Sequence, residues 1–174
     1  MEPDDHSRES SSVESDVESV EALDEELFQA FREVELQYAR KSLSHDQLRV
    51  RYRAIADRFV PRYERAGAPD LAREVERSAT WRVFCLLFDE GCTVEECEAA
   101  FAEVLALGFG SLDQEAHMLT VFCAYCARHG ASIDMLKRYL EPLIRTLEQS
   151  GDPSWTFRQM CEDILARAQR GHST

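Results

Sequence analysis

The chain has 174 residues, 44% of them apolar, and a formal charge of −13. That length suits one domain with a full core. Residues 1–26 hold eleven acids against a single base, Arg8, so the rest is near neutral and offers no basic patch to a phosphate backbone.

Residues 1–21 form an acidic, serine-rich segment with almost no apolar mass, and disorder is expected there. Ser10, Ser11 and Ser12 lie among acids, and Ser15 precedes Glu18 by three, a context that suits an acid-directed kinase. A solubilising tail is the simpler reading of such a charge run.

From Ala22 to Ala168 the periodicity is helical throughout. A first helix spans about 23–41, with Leu23, Leu27, Phe31 or Phe28, Val34 and Tyr38 on one face. Ser44 and Gln47 read as a capping box for a second, with Leu43 and Leu48 as its hydrophobic staple. Pro61 disfavours helical dihedrals at Val60, which sets the expected end. After the break at Gly67 and Pro69 come a short helix near 70–78 and a segment around Trp81, Phe84 and Phe88 that is apolar almost all round. Gly91 closes that segment. Thr93 with Glu96 is another capping box, with Cys92 and Cys97 as staple, opening a helix over 94–107. Ser111 opens a sixth helix ending near Arg128, Ser132 a seventh ending near Gln149, and Asp152 with Pro153 a last one. The expected architecture is all-α, a single domain of about eight helices, followed by a short flexible end at 169–174.

Two stretches carry a recognition signature. Leu48, Tyr52, Ile55 and Phe59 fall on one helical stripe, and within it Ala56 is followed directly by Asp57. A core-facing amphipathic helix gives the same stripe. The hydrophobe, small residue and acid in sequence nevertheless suit a helix read by a groove with one cation. This pattern resembles the third homology motif of the Bcl-2 family of apoptosis regulators. Downstream, Leu87, Phe88 and Gly91 resemble that family's first homology motif, with Thr93 standing where the family has the Asn that caps the central helix. Val94, Glu95 and Glu96 replace its Trp, Gly and Arg. The family's Arg pairs with the Asp of a partner helix, so a carboxylate at Glu96 reverses the sign of that interaction. Arg82 is a candidate substitute cation. The Gly151 to Trp155 stretch resembles the second homology motif, with two residues inserted before Trp155.

The resemblance implies a Bcl-2-like bundle around a buried central helix, and a diverged, virus-encoded survival homologue fits the compressed motifs. It implies a hydrophobic groove near Phe84, Leu87, Phe88, Thr93, Glu96 and Phe101 that sequesters homology-3 helices of pro-death members, with Bcl-2 family proteins as partners in homo- or heterodimers. It further implies a cytoplasmic protein, peripheral at mitochondria through partners. The competing reading is a helical adaptor or scaffold outside apoptosis with a disordered acidic arm.

Other chemistry is poorly represented. No run approaches the roughly 18 apolar residues a membrane span needs; the stretch Val83 to Phe88 falls far short of it. The polar N-terminus does not read as a secretory signal, so reduced thiols are expected at positions 85, 92, 97, 123, 126 and 161. Cys123 and Cys126 invite zinc, but no knuckle glycines or clustered histidines accompany them, and His117 and His129 sit on helix surfaces by spacing. No phosphate loop, serine elbow or cysteine–histidine nucleophile pattern is present, so neither an enzyme, a metal nor a cofactor is expected.

Overall fold

A computed structural model describes residues 19–150 and 155–171. Among them are seven helices and no strand: α1 (Val20–Ala39), α2 (His45–Arg65), α3 (Pro69–Glu90), α4 (Val94–Ala106), α5 (Leu112–Arg128), α6 (Ile133–Ser150) and α7 (Trp155–Gly171). None is long and apolar enough to cross a membrane. Ser10 to Ser12, Ser15 and the Gly151 to Pro153 cap lie outside the described residues.

Most helix starts obey the capping chemistry read from the sequence. The Ser19 hydroxyl accepts from the Ala22 amide at 3.2 Å, which starts α1 at Val20, inside the segment expected to be tail. At α2 the box is reciprocal: Gln47 Oε1 accepts from the Ser44 amide at 2.9 Å and Ser44 Oγ from the Gln47 amide at 3.3 Å. Gly91, at φ 73°, closes α3 in the left-handed conformation that glycine adopts without strain.

Three expectations need correction. First, α2 does not stop at Val60 but runs through Pro61 to Arg65. Proline removes one N–H, leaving the Asp57 carbonyl without its helical donor. The helix persists because Tyr63, fully buried, donates its hydroxyl to Asp24 at 2.5 Å, and Arg62 pairs with Glu26 at 2.9 Å. Tertiary contacts outweigh the local penalty. Second, the 70–78 helix and the Trp81 segment are one continuous helix, α3, so seven helices replace the expected eight. The change from one-sided to all-round apolarity marks α3 becoming covered on two sides, rather than a chain break. Third, the helix that Thr93 opens is α4, with three buried residues, whereas α5 buries eight and is the most enclosed element. The buried helix lies one element later than the resemblance implies. At the C-terminal end α7 reaches Gly171, into the stretch expected to be flexible.

The core has two parts joined by α3. Leu23, Phe31, Val34, Leu48, Phe59 and Tyr63 pack with Ala72, Val75 and Ala79 where α1, α2 and α3 meet. The second part gathers Phe84 from α3, Phe101 from α4, Phe122 from α5 and the Leu136, Leu140, Leu143 and Leu147 stripe of α6. Phe101 and Phe122 stack at 4.1 Å between centroids. Thr120, buried here, returns its hydroxyl to the Ala116 carbonyl at 2.7 Å, so its burial leaves no unmet donor.

Candidate partner-binding groove

The α2 stripe explains what that helix can and cannot offer a partner. Leu48, Tyr52, Ile55 and Phe59 are all buried against α1 and α3, so the stripe belongs to the core. Ala56 is half-buried and Asp57 exposed, both on the flank turned toward α3 and α4. Together they form one wall of a surface cleft of about 210 Å³ with Arg53, Glu76, Ala79, Thr80, Val83 and Glu103. A second cleft of about 160 Å³ continues it, sharing Arg53, Thr80, Val83 and Glu103 and adding Arg49, Phe84, Leu87 and Ala100. The two make a single groove between α2, α3 and α4. Its floor is apolar and its rim charged.

The rim charges are unequal in their freedom. Arg49 is held by Glu90 and by Asp46, the latter at 3.1 Å. The Arg49 hydrogen bond holds the Glu90 carboxyl below the usual carboxylate range. Arg53, Asp57, Glu76 and Glu103 form no hydrogen bond or ion pair through their side chains among the described residues, and all four are exposed. They present charge to solvent with no internal partner among the described residues.

The residues implied as groove lining divide among three places. Phe84 and Leu87 line the groove, though Phe84 shows it only an edge, being 3% exposed. Phe88 turns the other way and stacks on Tyr125 at 4.4 Å, and Phe101 is fully buried in the second core. Thr93 lies at a different and larger cavity of about 670 Å³, formed by the α3–α4 turn and the start of α6 with Glu95, Glu98, His129 and Arg138. The exposed lining of that cavity is more polar than apolar, although Cys92, Val94, Ala131 and Met135 contribute to it. Glu96 lines neither cleft; its carboxylate accepts from the Thr93 amide at 2.9 Å. Arg82 is committed elsewhere, bonded to Glu35 at 3.2 Å and lying over the Phe31 ring at 4.2 Å, on the α1 side of the molecule. It is not a groove cation.

Arg53, Glu76, Thr80, Val83 and Glu103 are groove residues that the motif reading passes over. For Glu76, Thr80 and Val83 the signal is a second stripe on α3: Glu76, Thr80, Val83 and Leu87 sit at i, i+4, i+7 and i+11, beside the core stripe of Ala72, Val75, Ala79 and Leu86.

The thiols behave as packing groups. Cys97, Cys123, Cys126 and Cys161 are buried and Cys85 and Cys92 half-buried, none in a disulfide. Burial pushes the Cys85 thiol up to about 12 and the Cys161 thiol to about 11, and Cys126 beside it raises Cys97 further. No group of three or more His, Cys, Asp or Glu among the described residues is arranged to hold a metal ion.

No family model matches this chain, and neither a curated protein nor a solved structure is significantly similar to it.

Proposed function

We propose that this chain regulates apoptosis by protein–protein binding, holding amphipathic homology-3 helices of pro-death Bcl-2 family members in the groove between α2, α3 and α4. The observation that carries this reading is a convergence. Ala56 and Asp57, from the segment resembling the third homology motif, and Leu87, from the segment resembling the first, share one groove although 30 positions separate Asp57 from Leu87. Apolar anchors of a docking helix would drop into the two clefts, each contributing about 1.5–3 kcal/mol before the ordering cost is met. Holding such helices back is a pro-survival action, exerted in the cytoplasm or at mitochondria through the partner. The chemistry needed is binding alone, with no catalytic step.

The second reading, a helical adaptor outside apoptosis, is favoured by the core-facing α2 stripe, since any packed amphipathic helix buries such a stripe. Titrating the full chain with a panel of labelled homology-3 peptides separates the two. Micromolar or tighter binding by any peptide supports the apoptotic reading, and silence across the panel supports the adaptor.

A further inference from the structure

We infer that the groove selects amphipathic helices of net positive charge, with an acidic residue accommodated only where it faces Arg53. This inference rests on the groove reading above and names the chemistry of its occupant. Asp57 on α2, Glu76 on α3 and Glu103 on α4 all border the larger cleft, and Glu103 borders both. None of the three has an ion-pair partner among the described residues, so each carries an uncompensated negative charge at the rim. Against them, among the described residues, stands one uncommitted rim cation, Arg53, shared by both clefts. The other rim cation, Arg49, is neutralised by Glu90 and Asp46.

The charge pattern therefore has a direction. A helix lying with its apolar stripe over Ala79, Val83 and Leu87 brings its flanking side chains to the three carboxylates, where bases are attracted and acids repelled. Rim pairs act mainly on association rate and salt dependence, because water screens them. The small residues Ala56, Ala79 and Ala100 let a helix approach closely enough for these pairs to form.

The test uses the full chain and two synthetic helical peptides sharing one apolar stripe, one flanked by Lys and Arg, the other by Glu and Asp. The basic peptide should bind about tenfold tighter at low salt, and added salt should shrink the difference. The combined variant Asp57→Asn, Glu76→Gln, Glu103→Gln should erase the preference, and Arg53→Gln should weaken only peptides with an acid in the stripe. Salt dependence on the unaltered chain keeps the test decisive should the variant fold poorly. Equal binding of both peptides, or tighter binding of the acidic one, overturns this inference and leaves the groove reading standing. Binding by neither overturns both.

Discussion

Thr93 and Glu96 hold each other at the start of α4: the Thr93 hydroxyl accepts from the Glu96 amide at 3.2 Å, and the Glu96 carboxylate accepts from the Thr93 amide at 2.9 Å. Both side chains are thereby committed to the helix end, away from the groove. Replacing Glu96 with Arg removes the return arm and puts a cation at a helix N-terminus, where the dipole disfavours it. The change should lower stability by about 0.5–2 kcal/mol and leave peptide affinity unchanged. Denaturant melts alongside peptide titration check it; tighter binding by Glu96→Arg would mean the carboxylate faces the ligand after all.

Phe101 separates core from groove. Fully buried and stacked on Phe122, it should cost about 3–5 kcal/mol when replaced by Ala. Leu87→Ala, at the half-buried groove edge, should cost less stability and weaken peptide binding more. Comparable losses in both properties for the two variants would dissolve the distinction.

Arg82 offers a third check. Its guanidinium covers Phe31 and pairs with Glu35, a contact made between α1 and α3. Arg82→Ala should therefore destabilise by about 0.5–1 kcal/mol through lost cation–π and ion-pair contact. A peptide carrying the acid should bind the variant as it binds the unaltered chain; loss of affinity without loss of stability would return Arg82 to the recognition surface.

The sequence was most legible where local chemistry decides the outcome. The boxes at Ser44 and Thr93 and the glycine at Gly91 each satisfy helix-end groups within a few residues, so pattern and structure agree. Legibility failed where distant contacts decide. Pro61 stays inside α2 because Tyr63 and Arg62 dock on α1, which no window around Pro61 can reveal. The Trp81 region looked like a separate helix because α3 touches both parts of the core. The groove was half visible: motif resemblance pointed to Ala56, Asp57, Phe84 and Leu87, but Phe101 and Thr93 were assigned by position in a motif that here opens α4 rather than the most buried helix. Arg53 and Glu103 carry no local mark at all; only the packing of α2 and of α4 on α3 makes them neighbours.

Alkaline pH should unfold the protein through its buried and half-buried thiols and phenols. Desolvation pushes the Tyr125 and Tyr139 phenols up to about 12, and the Cys85 thiol likewise to about 12. Groups whose pKa is raised by folding hold their protons more tightly in the folded state. Their stabilising effect is complete below the unfolded values of 9.0 for thiols and 10.0 for phenols, and declines as pH rises beyond them. Helical circular dichroism and thiolate and phenolate absorbance, followed together, should change in one transition well above pH 9. Free titration of most thiols near their ordinary value with the helices intact would contradict this account of the core.

The most direct test of the groove is the ratio of affinities that one labelled homology-3 peptide shows for the full chain and for Val83→Asp. Val83 is half-buried on the floor shared by both clefts, so an acid there sets a charge against the peptide's apolar anchors. The account predicts micromolar or tighter binding to the unaltered chain, a loss of at least about a hundredfold in the variant, and retained helicity. Undiminished binding by a folded Val83→Asp, or no binding by the unaltered chain to any homology-3 peptide, would contradict it.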